Sequence, residues 1–451
     1  MPSLQLQRRC LRYLPSLFLT AVGILTVHLI IRARWAHHET PETTGSRMGK
    51  DILVPNDYNS TACNYVSEMD KVLVILKTGA TEALDKVPVH FETTLRCVQN
   101  YVVFSDYEED ILGVHTWDVL RSVSGKMKQT NPDFEIYNRL RTSGREGLIA
   151  NDWMDDENGP LGKPRNPGWK LDKWKFVPMI DEALIVKPDA HWYIFLEADT
   201  YIVWRNMIRW LSLFNQGMSH YLGTPMRMGN DVFAYGGAGI VLSRPAMQLV
   251  SQYRAENFTP VEQMTAKDWA GDHVLGRILY DIGIRLVWSW PLLVPSSVRE
   301  FEPFTSNYGR RPWCHPAVSF HHMSSQDIKD IWLFEQQWFR FRKDSALLHK
   351  DIFTWQIYDV VSSKKYDWDN LSDEQPQTNS NSPTTVEGCA QICSLTTDCL
   401  QFSFSDRGCF ISSKVIRGVH RPGIDSGWMA MRIKALMRNA GKCPKTPYIT
   451  E

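Results

Sequence analysis

The chain has 451 residues, enough for about two to three domains, each with its own core. Its 50 Lys and Arg balance its 50 Asp and Glu, and the basic residues form no block, which argues against a nucleic-acid partner. Aromatic residues make up 12 % and Trp alone numbers 17; such Trp is mostly core, although its flat apolar face also suits sugars.

Arg8, Arg9 and Arg12 precede Leu14–Ile31, an uncharged run that holds a single His. At about 1.5 Å per residue it just crosses a hydrocarbon core of about 30 Å. The run ends in Arg32, Ala33, Arg34 and Trp35, a poor cleavage site, so a retained type II anchor is expected over a removed signal. This divides the start into a cytosolic tail (1–13), a transmembrane anchor (14–31) and a polar stem (32–66). Cys10 falls in the tail, whereas Cys63, Cys97, Cys314, Cys389, Cys393, Cys399, Cys409 and Cys443 follow the anchor, an even number that suits an oxidising lumen. Possible N-glycosylation sites at Asn59, Asn257 and Asn370 agree with that side.

Lys71–Gly79 (KVLVILKTG) reads as a buried strand closed by Gly, and Tyr101–Asp106 (YVVFSD) as the next, with acid at its carboxyl end. A turn-rich loop over 151–167 precedes one expected helix, Trp169–Lys187. His191–Trp204 (HWYIFLEADTYIVW) is a core strand that ends in Glu197, Ala198 and Asp199. A buried ionised carboxylate costs several kcal/mol unless compensated, and two of them one residue apart can share a hard cation such as Mg²⁺ or Mn²⁺. Ala234–Ser243 (AYGGAGIVLS) places Gly236, Gly237 and Gly239 at a tight turn. Asp272 opens an amphipathic helix in GDHVLGRILYDIGI, where spacing alone makes it an N-cap before it makes it a base. Ala317–Met323 (AVSFHHM) ends another strand in His321 and His322, of which the second reads as a neighbour. Trp169, Trp174, Trp288 and Trp290 read as core, and Trp269 as the exception because it lies just before Asp272. Arg165, Lys170 and Lys173 read as a solvated helix face.

After Asp369 the composition turns polar, and 369–386 reads as a linker. Four cysteines then follow as Cys-x3-Cys-x5-Cys-x9-Cys. Zinc is the rival to disulfides, but no CxxC pair is present. Cys389 and Cys393 share a helix face. Three connectivities are open among the four, and Cys443 adds a further partner. The segment 387–445 resembles a PAN/apple module, which implies that QFSF and GCFI are its next strands and that it takes a protein or carbohydrate ligand.

In this order, FLEADTYI, GGAGIVLS, GDHVLGR and VSFHHM resemble glycosyltransferase family 31, the fringe and core-1 galactosyltransferase group, in its fungal-type form. The resemblance implies an α/β GT-A fold, a Rossmann-like sandwich, over 67–368, with a UDP-sugar donor held through Mn²⁺ or Mg²⁺. It implies Glu197, Asp199 and His321 as metal ligands and Asp272 as general base. Asp106, Gly236, Gly237, Gly239 and Trp269 would border donor and acceptor. It further implies a lumenal enzyme of the Golgi or ER membrane that passes a hexose to a glycan, glycoprotein or polysaccharide with inversion. Relatives carry Asp where this chain has Glu197, an acid in place of Ala198, and often an acid in place of Gly271. The rival expectation is a transferase fold without catalysis that binds sugar or protein through its last module.

Overall fold

The apolar run Val72–Lys77 forms strand β1, buried along its whole length because it packs on both faces. Leu73 and Ile75 join one hydrophobic cluster, while Val72, Val74 and Leu76 join another on the opposite side. This period-two division is the consequence of side chains alternating across a strand in a covered sheet. The structure is a computed structural model that describes Cys63 and residues 69–153, 165–342, 345–358, 360, 364–376, 383–443 and 448–450. The anchor expected at 14–31 lies outside these residues. Among the described residues no helix is long and apolar enough to cross a membrane.

The central sheet adds β2 (Tyr101–Ser105), β3 (Glu109–Ile111), β4 (Val114–Asp118), β5 (Trp192–Glu197), β6 (Tyr221–Gly223), β7 (Ile240–Ser243) and β8 (Leu286–Trp288). Its order is β8-β6-β7-β5-β1-β2-β4-β3. β5, β1, β2 and β4 run parallel, whereas β7 is antiparallel to both β5 and β6. The mixed α/β sheet is consistent with the GT-A expectation. Because β1 pairs with β5 in register, Lys77 stands beside Glu197 at their carboxyl ends, where open α/β sheets place ligands.

The helix expected over 169–187 is two helices, α1 (Pro167–Asp172) and α2 (Phe176–Val186). Asn166 caps the first by accepting the Trp169 amide at 2.9 Å. Pro178 has no N–H to donate, so it belongs in the opening turn of a helix, which is where the restart at Phe176 puts it. On the same face lie α3 (Arg244–Glu256) and α4 (Gly271–Asp281).

A second, three-stranded sheet joins Tyr201–Ile202, Leu293–Val294 and Ser319–Phe320. Phe320 pairs antiparallel with Tyr201, and the Met323 amide donates to the Asp199 carbonyl at 2.9 Å. This pairing carries the histidines after Phe320 to the acids before Tyr201. Helix α5 (Ser325–Phe341) follows under a Ser324–Asp327 capping box.

In the C-terminal region, α6 (Val386–Leu395) precedes strands Gln401–Ser405 and Gly408–Ser412, as the QFSF and GCFI readings expected. Cys389 pairs with Cys409, and Cys393 with Cys399 in the loop before the first strand. Cys443 pairs with Cys314, far upstream, and Cys63 pairs with Cys97. The segment read as a linker begins inside this region. Trp368–Asp369 pair with Val419–His420, and buried Asn370 donates to the carbonyls of Phe402 and Gly427. Trp313, Phe353 and Ile357 share a core with Val415, Trp428 and Ile433. Beyond Cys443, Ile449 is buried, and its carbonyl accepts the Trp210 indole N–H at 2.6 Å.

Candidate active site

Where β1 and β5 end, the buried Lys77 ammonium lies 2.8 Å from Asp172 and 3.2 Å from Glu197. Asp172 closes α1 and also meets buried Lys175, which pairs with Asp106 at 2.8 Å. Burial pushes the Glu197 carboxyl up, but Lys77 and His321 outweigh it and hold the group down at about 2. The compensation predicted for a buried carboxylate is therefore supplied here by a lysine. Lys77 was missed in the sequence, although a charge ending an apolar strand marks it just as it marks Glu197.

Asp199 sits 3.0 Å from His321 Nε2, and Lys86 reaches its other oxygen at 3.1 Å. Glu197 Oε2 is 3.6 Å from the same imidazole nitrogen. Burial lowers the His321 imidazole, but Asp199 and Glu197 raise it to about 9. His322 has φ +55°, a left-handed backbone that brings its ring to 3.8 Å from that of His321. One oxygen of Asp199 and one nitrogen from each of His321 and His322 lie within 4.8 Å of one another. A carboxylate with imidazoles is a donor set that fits a divalent transition-metal ion, Mn²⁺ among them. His322, set aside as a neighbour, is thus a member of this cluster, and Glu197, engaged by Lys77, lies beside it. Ala198 is 2 % exposed in the core, and its carbonyl meets His90 Nε2 at 2.8 Å. An acid at that position has no water to face.

Asp272 is not a cap: Ala270 occupies the N-cap, and Asp272 lies within the first turn of α4, 8 % exposed. Its Oδ2 accepts the Gly236 amide at 2.8 Å and its Oδ1 the His273 amide at 2.9 Å. Burial raises this carboxyl to about 6, with the nearby Glu197 charge adding and the two amides opposing. A Cβ on Gly271 would collide with the Lys173 backbone and the Phe176 ring, so no second acid fits before Asp272. A Cβ on Gly237 would fall on the His321 ring, and one on Gly236 would press Phe176, which is why this turn is glycine. Gly239, with φ +99°, is required by backbone conformation instead.

These groups line a cleft of about 430 Å³, in which Lys77, Glu197, Gly237, Asp272 and His321 form one part of the wall. Trp169 and Trp269 stack at 6.0 Å in another part, so Trp169 is not core. Tyr235, not singled out in the sequence, places its hydroxyl 3.3 Å from His321 Nδ1. Lys173 is not a solvated residue either; it lines the cleft and pairs with Asp133 at 2.8 Å. Arg165 and Lys170 are exposed as expected. A second cleft of about 400 Å³, lined by Gly79, Lys86, Trp153 and Asn166, shares Trp169, Asp172 and Glu197 with the first. Asp106 lines neither. It is 3 % exposed and accepts the Ala80 amide at 2.8 Å, so its carboxylate holds the turn after β1 from below.

A family model described as Fringe-like matches residues 67–337. No curated protein matches the chain.

Proposed function

We propose, since this chain belongs to the Fringe-like family and that family comprises glycosyltransferases, that it moves a hexose from a UDP-sugar to a glycan or glycoprotein hydroxyl with inversion. The observation that carries the reading is the shared cleft: the Asp272 carboxylate and the Glu197–His321 cluster line one cavity and can act on a ligand lying between them.

On this reading Asp199 and His321 would hold a divalent cation, with His322 or Glu197 completing the set. When bound, Mn²⁺ supplies Lewis-acid charge neutralisation for the departing diphosphate. UDP takes the second cleft, and the transferred sugar takes the junction where Trp169, Asp172 and Glu197 are shared. Asp272 accepts the proton of the acceptor hydroxyl while that oxygen bonds to the anomeric carbon. The carbon–oxygen bond to the diphosphate breaks with its electron pair leaving on UDP, and inversion converts an α-linked donor into a β-linkage. A carboxyl raised to about 6 is ionised at neutral pH yet basic enough for this task. The Gly236 amide fixes its orientation.

The four disulfides among the described residues support an oxidising compartment, and we extend the proposal to a type II protein of the Golgi or ER membrane with this domain in the lumen. The C-terminal region is proposed as a PAN/apple-like module. The test is UDP release by the purified lumenal domain with Mn²⁺ and a panel of UDP-hexoses and acceptors. Release that Asp272→Asn abolishes supports the reading, and nucleotide binding without turnover across the panel overturns it in favour of a binding protein.

A further inference from the structure

A third cavity, of about 470 Å³, lies on the far side of α4 and of the hairpin Pro225–Ala234, outside the two clefts described above. Its volume falls in the range of small-molecule sites, about 300–1,000 Å³. Its walls include Asp231, Arg277, Tyr280, Arg285 and Trp288. Tyr280 and Trp288 are 60 % and 38 % exposed, large apolar surfaces left open to solvent. Arg285 lies over the Tyr280 ring at 3.8 Å. Arg277 and Arg285 stand with Asp231 and Asp281 in this lining, and His273 faces Asp231 at 3.1 Å, so the wall carries both signs. Such a wall favours neither an anion nor a cation. It offers donors, acceptors and flat apolar faces together, the combination that a neutral polyhydroxylated ring requires.

A rigid ledge joins this cavity to the catalytic cleft. Asn307 and Arg310 exchange backbone hydrogen bonds of 2.9 Å around Tyr308 and Gly309, whose φ values of +49° and +73° suit a type I′ turn. The turn holds Tyr308 against both Trp288 and Trp290, with ring centroids 5.5 and 5.8 Å apart. The Arg310 guanidinium donates to the carbonyls of Trp288 at 2.6 Å and Trp290 at 3.0 Å, which ties the turn to the segment carrying both rings. Tyr308 and the edge of Trp290, which is 8 % exposed, line the catalytic cleft, and Trp288 lines the third cavity. Trp288, read as core from the sequence, is thus the outer step of an aromatic path.

We propose that the acceptor is an extended neutral oligosaccharide: its terminal sugar enters the catalytic cleft and the following rings cross the exposed Tyr308 and Trp288 into the third cavity. This rests on the transferase reading above and names its acceptor class. Contacts distant from the reacting carbon can hold the acceptor hydroxyl in line, so a truncated acceptor loses turnover as well as affinity.

The test uses the lumenal domain and neutral β-linked oligosaccharides of galactose, glucose and N-acetylglucosamine, each as mono- through tetrasaccharide. Binding is read by calorimetry and saturation-transfer NMR, and transfer by kcat/KM. In wild type, affinity for at least one series is expected to rise on the order of ten-fold or more with length. Trp288→Ala and Tyr280→Ala, both at exposed positions, are expected to collapse that ratio toward one. Length-independent binding, a length gain that survives the double variant, or a single sugar on a peptide serving as well as the tetrasaccharide overturns the proposal. Length-dependent binding that needs Trp288, with no turnover on any donor, supports the subsite and brings down the transferase reading instead.

Discussion

The Gly236 amide donates to the Asp272 carboxylate at 2.8 Å, so the glycine turn after the hairpin aims the acid that opens α4. Removing the basicity of that group while keeping its shape isolates its chemistry. Asp272→Asn is expected to lower UDP release about 10²–10⁴-fold, the usual range for a lost general base. A steady-state assay checks this, with UDP binding by calorimetry kept near wild type as the control.

The same carboxyl sets an acid limb. A base acts in its ionised form, and Asp272 is raised to about 6, so kcat/KM is expected to climb as pH rises through about 6 and then level off. Stability runs the other way. The fold holds this proton more tightly than an unfolded Asp at 3.8, so its contribution is present below 3.8 and lost as pH rises through about 6. Denaturant titrations of wild type and Asp272→Asn across that window show whether the variant removes the slope.

Chelation is expected to abolish turnover, and added Mn²⁺ to restore it. Mn²⁺ is also expected to raise the thermal midpoint of wild type through binding to the folded state alone. In Asp199→Ala and in His321→Ala that rise disappears, because each removes a donor atom of the cluster. Differential scanning fluorimetry with and without Mn²⁺ decides it; a midpoint shift preserved in both variants places the ion elsewhere.

Lys77 bridges Asp172 and Glu197 at 4 % exposure. Lys77→Met leaves the half-buried Asp172 and Glu197 to Lys175 and His321 alone, a change expected to cost about 1–3 kcal/mol. Urea denaturation measures the loss. A cost below about 1 kcal/mol shows that water reaches these carboxylates.

Cys314 and Cys443 fasten the C-terminal segment, which goes on to place Ile449 against Trp210. Cys443→Ser is expected to cost about 2–5 kcal/mol, chiefly through the freer unfolded chain. Thermal unfolding under oxidising conditions, with proteolysis to locate cleavage near the C-terminus, tests both magnitude and place.

Local pattern alone carried a large part of this molecule. The acids ending β5, the glycine turn before β7, the helix bearing Cys389 and Cys393 and the two strands after it are short-range consequences of burial, chain conformation and period, so they stand in the sequence. The same reasoning reached Glu197 and passed over Lys77, although both are charges closing apolar strands. It could not tell whether Asp272 caps its helix, because a cap and a cleft carboxylate occupy the same place in a pattern and differ only in where the oxygens point.

Long-range pairing decided what remained. His321 meets Asp199 because Phe320 pairs with Tyr201, a register that no local propensity encodes. Asp106 faces Lys175 under the turn after β1 and not the cleft, because α2 brings that lysine beneath it. Cys443 finds Cys314 instead of a neighbour in its own segment, and Trp288 stays open beside Tyr308 where composition favoured burial. Residue type and spacing determine which groups are available and which local turns they make. Which of them share a cavity depends on side-chain direction and on contacts between distant segments, and these exist only once the sheets and helices have packed.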